Sequence, residues 1–288
     1  MEPIRNSKTT ITEILIQAGC DVNTPDKNGV TPLMECIQTN NQVLVKQLIG
    51  HGAFVNAKDN EGCFVLDYLF HSYHSPNDRS TSADTIKIMI ETGADIHKCD
   101  NLLCRAIDGE DYETASLLIE NGIDVNSLDD NGDNPLGLAS EKGKLELVTL
   151  LTTNDCDINH QNQFGETALH KAISVSSYNT YYQDKEKIIN TLLLQKGMNV
   201  NLSDFAGRTA LSMAAAKGER SFTEVLMKAG AHIDHCDTLR ETPLMIAKAG
   251  ADANLSNGNG KTPLVTAARN TWQLKYTFSW ISQDRRLT

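Results

Sequence analysis

What the chain lacks narrows its function before any motif is found. No apolar run approaches the roughly 18 residues that a membrane-spanning helix requires, and the first eight residues hold no apolar core of the kind a secretory signal needs. Basic residues are outnumbered, 26 Lys and Arg against 37 Asp and Glu, and a net charge of -11 supplies no broad positive field for nucleic acid or anionic lipid. A disulfide framework is missing as well: Cys20, Cys36, Cys63, Cys99, Cys104, Cys156 and Cys236 are scattered and odd in number, which fits separate thiols in a reducing compartment. His97, Cys99 and Cys104 lie close together, as do His232, His235 and Cys236, but neither cluster has a second closely spaced ligand pair, so no metal or cofactor is expected. No GxSxG, Walker or HExxH sequence occurs. These absences favour a non-enzymatic protein of the cytoplasm, with the nucleus also open to it. The sequons at Asn201 and Asn254 carry little weight without a secretory signal.

What the chain does have is repetition. Residues 26–56 read as turn, helix, turn, helix. Asp26 to Gly29 suits a tight turn, Thr31 a helix N-cap, and Pro32 the first helical position, where its missing N–H costs nothing. Leu33, Cys36 and Ile37 give the first helix an apolar stripe, and Leu44, Val45, Leu48 and Ile49 do the same for the second, which stops at Gly52. Two short helices cannot bury both apolar faces alone, so each unit needs a stacked neighbour. A closing signature, GAFVN at Gly52, recurs from Gly19 to Asn254, and its last position advances by 33, 41, 29, 33, 42, 33 and 20 residues.

A 33-residue period with Thr-Pro-Leu opening the first helix resembles the ankyrin repeat. TPLM at Thr31, NPLG at Asn134, TALHKA at Thr167, TALSMA at Thr209, TPLMIA at Thr242 and TPLVTA at Thr262 all stand in register with a closing signature or a degraded form of it. The resemblance implies an all-α solenoid of stacked helix-turn-helix units with β-hairpin-like turns. It also implies a function in recognition: a monomeric, non-catalytic scaffold or adaptor that binds one or more proteins along its turn tips and the inner faces of its first helices. The alternative is a substrate-recruiting or regulatory subunit of an enzyme complex such as a ubiquitin ligase.

The copies differ in ways that set the expected organisation. Residues 1–25 hold a second helix with Ile11, Ile14 and Leu15 as its apolar side, which reads as a cap or a truncated repeat. The repeat domain proper runs over 26–256. Within it, Phe64-Val65-Leu66 replaces Thr-Pro-Leu, inserted loops are expected near 72–83 and 175–184, and the third repeat is short where its hairpin should be. Leu145, Leu147, Val148, Leu150 and Leu151 are expected to pack the fourth repeat, and Phe222, Val225, Leu226 and Met227 the sixth. The seventh lacks its second helix, because Ala247 leads directly to the closing signature, and 257–270 is a partial last repeat. From 271 to 288 the tail alternates apolar and polar residues at a strand-like period of two.

Register nominates surface residues. Tip positions hold Asp130, Asn131 and Asp133, then Gln163, Phe164 and Glu166, then Phe205 and Arg208, then Leu239 and Glu241, and the first-helix inner positions add Glu141, Lys142, Ser174 and Lys217. Phe164, Phe205 and Leu239 are apolar residues in turns that should be wet, so they either anchor a partner or pack against adjacent hairpins. The resemblance further implies that a closing Asn can be hydroxylated where an acidic residue stands two before it and Leu eight before. Asn23, Asn126 and Asn159 meet that pattern.

Overall fold

A computed structural model of the chain describes residues 11–39, 41–70, 80–99, 101–174, 182–217, 219–233 and 235. The expected Leu239 and Glu241 tip, the shortened seventh repeat and everything beyond it lie outside these residues. The chain divides into two compact units, Met1–Ser127 and Leu128–Thr288. Among the described residues each is built of helical pairs joined by turns.

In the first unit, α1 (residues 11–17) precedes α2 (Pro32–Gln38) and α3 (Gln42–Gly50). The turn before α2, here called a finger, is fixed by Asp26, whose Oδ1 accepts the N–H groups of Asn28 and Val30 at 2.8 and 2.9 Å. Thr31 caps α2 by accepting the Met34 N–H, and Asn41 caps α3 through Leu44. Leu33, Met34, Cys36 and Ile37 of α2 are buried against Leu44, Val45 and Leu48 of α3, while Ile49 is only half-buried. The first apolar stripe is misplaced by one residue from the expectation: Ile16 is buried, whereas Ile11, Ile14 and Leu15 are exposed.

Where Thr-Pro-Leu is lost, the helix changes type. Phe64 offers no capping oxygen. Its N–H instead donates to Asp67 Oδ2 at 2.8 Å, and Val65–Leu69 wind as a 3-10 turn. Asp67 also receives Arg105 of the next pair at 3.0 Å, and Tyr68 Oη donates to Asp59 Oδ2 at 2.6 Å. Burial alone would raise the Asp59 carboxyl, but the Tyr68 bond and the backbone N–H bonds outweigh it and hold it below its ordinary value. Helix α4 (Ser80–Glu91) begins inside the stretch 72–83 expected to be loop, so at least its last four residues are helical. A 3-10 turn at Ile96–Lys98 leads within a few residues to α5 (Leu102–Asp108), with Asn101 at φ 60° in the left-handed region, and α6 (Tyr112–Glu120) completes the unit.

The second unit pairs α7 (Pro135–Glu141) with α8 (Leu145–Thr152), α9 (Ala168–Ser174) with α10 (Tyr182–Leu193), and α11 (Ala210–Ala216) with α12 (Arg220–Lys228). Its core holds Leu136, Leu147, Val148, Leu151, Leu169, Ile173, Ile188, Leu192, Leu211, Phe222 and Leu226. Leu145, Leu150, Val225 and Met227, expected inside, are half-buried, because a helix presents one stripe rather than every apolar residue it carries. The second inserted loop, expected over 175–184, gives way to α10 at Tyr182.

Side chains join successive repeats. Asn159 Nδ2 donates to the Gly197 carbonyl and its Oδ1 accepts the Asn199 N–H, both at 2.8 Å. Asn201 makes the same pair of bonds to Gly230 and His232, and in the first unit Asn23 and Asn56 do so to Gly52 and Phe54 and to Gly93 and Asp95. The closing Asn is therefore an inter-repeat clamp. Asp155 occupies the turn position that glycine fills elsewhere and is held at φ 54°, where a side chain is strained. Asp155→Gly is expected to raise stability by about 0.5–1 kcal/mol, read as a higher urea midpoint.

Candidate functional site

The fingers of the second unit open with Asp129, Asn162 and Asp204, each accepting two backbone N–H groups of its own turn. They are stitched side by side: Gln163 N–H donates to the Asn131 carbonyl at 3.3 Å, and Phe205 N–H donates to the Phe164 carbonyl at 3.0 Å. Gly165, at φ +76°, makes the second junction possible, since a Cβ there would lie 2.8 Å from the Phe205 nitrogen. A short bridge between Ser203 and Thr209 gives the last finger its hairpin character.

This scaffold sets out the nominated residues unequally. Phe164 and Phe205 are 54% and 74% exposed on adjacent fingers, with the Phe205 ring edge resting close to Gly165 of the finger before it. Asp130, Asn131, Glu141 and Arg208 are exposed, and Lys142 and Glu166 half-exposed. Asp133 leaves the surface: at 3% exposure it accepts Asn162 Nδ2 and pairs with Lys171 Nζ, both at 2.9 Å. Lys171, itself 11% exposed, also reaches Glu141 at 3.3 Å and Glu166 at 3.7 Å. Burial tends to lower the Lys171 pKa, but Asp133 and Glu141 outweigh it and hold it above the ordinary lysine value. Arg208 is folded back on Asp204, its Nε at 2.7 Å.

Sequence reading missed the polar interior under this face. His170 accepts the Thr167 N–H at Nδ1, 3.2 Å away, and this places its proton on Nε2, which donates to the Arg208 carbonyl at 3.0 Å and so ties the fifth repeat to the sixth. Burial lowers its pKa despite the nearby carbonyl and carboxylates. The unfolded imidazole, at about 6.5, then takes up protons that the folded one refuses, so this contribution to stability is complete above about pH 6.5 and falls as pH drops toward the folded value. His170→Gln is expected to show a shallower loss of urea midpoint between about pH 7 and 5.5 than the parent.

Lys185 lies deeper, 2% exposed, with Nζ at 3.4 Å from Glu219 Oε1, 3.1 Å from the Ile173 carbonyl and 5.0 Å from the centre of the Phe222 ring. Burial lowers its pKa more than Glu219 raises it. Lys217 Nζ reaches the same Ile173 carbonyl at 3.0 Å, so two ammonium groups sit at the negative end of α9. A lysine in an otherwise amphipathic helix gives no sequence sign that it points inward.

Of the asparagines nominated for hydroxylation, Asn23 and Asn159 have both amide atoms engaged in the inter-repeat clamp. Asn126 donates its backbone N–H to Asp124 Oδ1 at 2.9 Å, within its own turn. Among the described residues, no group of three or more His, Cys, Asp or Glu is placed to hold a metal ion, and no helix is long and apolar enough to cross a membrane.

Known proteins share this architecture. The family described as ankyrin repeats, in three copies, matches residues 4–100, 78–162, 102–181 and 137–237. The phosphocholine transferase AnkX of Legionella pneumophila is 29% identical over 228 residues, covering 75% of this chain and 24% of that protein. The E3 ubiquitin-protein ligase XBAT33 of Arabidopsis thaliana is 32% identical over 180 residues, covering 59% of this chain and 33% of that protein. The chain thus spans about a quarter to a third of the length of these relatives. Among solved structures, an ankyrin repeat domain from Acinetobacter baumannii superposes with a TM-score of 0.60 at 26% identity, over 70% of this chain and 98% of that one. With helix pairs, finger turns and family match in agreement over most of its length, the chain belongs to the ankyrin repeat family.

Proposed function

We propose that this chain is a non-catalytic protein-binding scaffold or adaptor whose second unit grips a partner across its finger tips and first-helix ends. The observation that carries the reading is the pair Phe164 and Phe205, exposed and adjacent on fingers whose backbones are already locked together. Exposed aromatics on a rigid support lose little freedom on binding, and such residues supply most of an interface's energy. Asp130, Asn131, Glu141, Lys142 and Arg208 form the polar rim, Glu166 borders Phe164, and Leu239 and Glu241 would extend the row. The chain acts as a monomer in the cytoplasm or nucleus, and Asn23, Asn126 and Asn159 are open to hydroxylation where a suitable oxygenase is present, detectable as an added oxygen by peptide mass spectrometry.

The test is affinity capture from cell extract with the parent and with Phe164→Ala/Phe205→Ala. The double variant is expected to lose the specifically retained proteins while keeping its thermal midpoint, since both residues are exposed. Retention of the same proteins at the same level overturns the reading. The likeness to the ligase XBAT33 favours a second form of it, recruitment of substrates to an enzyme complex. Stable co-purification of ligase components separates that form from a free-standing scaffold.

A further inference from the structure

Resting on the reading of the fingers as the binding face, we infer that the second unit takes a basic peptide segment carrying one bulky apolar anchor. The apolar half comes from spacing. Backbones in direct hydrogen-bond contact stand about 4.8 Å apart, so Phe164 and Phe205, joined through the Phe205 N–H and the Phe164 carbonyl, offer two exposed rings from neighbouring backbone positions, within the span of a single Leu, Phe or Trp side chain.

The basic half comes from how charge is used on this face. Three of its four named cations are engaged internally, Lys171 by Asp133, Glu141 and Glu166, Arg208 by Asp204, and Lys217 by the carbonyl end of α9, while the fourth, Lys142, stands half-exposed just past α7. The acids are not balanced in return. One ammonium group serves three carboxylates at Lys171, and Glu141 remains nearly half exposed there. Asp130 stands exposed one finger before Phe164. The face therefore presents surplus negative charge beside the two aromatic rings, and a Lys or Arg of the partner would complete the carboxylates while its apolar neighbour covers the rings. An acidic segment would meet the same carboxylates as like charges.

The probe is an array of random 12-residue peptides, incubated with the full chain as parent, Phe164→Ala/Phe205→Ala, Asp130→Lys, and Phe54→Ala as a control for exposed aromatics elsewhere. The expected result is selection of peptides that combine a bulky apolar residue with Lys or Arg. Their binding should fall at least tenfold in the double Phe variant, fall several-fold in Asp130→Lys with a weaker dependence on salt, and stay unchanged in Phe54→Ala. Peptides that need both Phe residues but carry no basic preference overturn the charge inference and leave the binding face standing. Peptides indifferent to Phe164 and Phe205, or lost equally in Phe54→Ala, overturn both. Retention of no peptide overturns the inference of a short segment, while the capture experiment still decides the face.

Discussion

Lys185→Ala is expected to cost the second unit about 3–5 kcal/mol, because it takes the Lys185 ammonium away from the buried Glu219 carboxylate. At about 2–4 °C per kcal/mol for a unit of this size, the midpoint of thermal unfolding should fall by at least about 6 °C. The cause is the arrangement rather than the charge alone. Lys185 comes from α10, Glu219 opens α12, and the Ile173 carbonyl ends α9, so one ammonium group links three helices of two successive repeats. Replacing both partners with apolar residues, Lys185→Met with Glu219→Met, should cost less than either single truncation, since no buried charge is then left unmatched. Equal or additive losses in that cycle would show that the two groups do not depend on each other.

The second large effect is at Gly165. Alanine there must hold a side chain at φ +76° and place its Cβ 2.8 Å from the Phe205 nitrogen and from ring atom Cδ1. The left-handed conformation costs about 1–2 kcal/mol, and forcing the two fingers apart adds about 1–3 kcal/mol more. Gly230, at φ +87° with open space where a Cβ would stand, isolates the first of these costs. The difference in urea unfolding between Gly165→Ala and Gly230→Ala therefore measures the finger junction itself. Gly165→Ala should also weaken partner binding, because the junction sets Phe164 beside Phe205.

How much of this was legible in the chain differs by level. Local backbone chemistry was: Asp26, Gly29, Thr31 and Pro32 state a turn and a capped helix, and the structure builds both. So was the exposure of Phe164 and Phe205, since turn register assigns them to the tips. What register does not carry is which polar neighbours satisfy one another. Asp133 sits at a tip by sequence, yet a lysine 38 residues later in the chain, Lys171, draws it inward while also reaching Glu141 and Glu166. The same holds for Lys185, whose partner Glu219 belongs to a different repeat. Apolar counting failed in a related way at Leu145 and Ile14, because the side a helix buries is set by its neighbours in the stack.

The most direct measurement is amide hydrogen exchange of the full chain, alone and with a partner retained in the capture experiment. Binding at the fingers predicts new protection over residues 129–133, 162–166 and 204–208 together, with the second helices α8 and α12 unchanged. Protection confined to α8, α10 and α12, with the fingers exchanging as before, would contradict it.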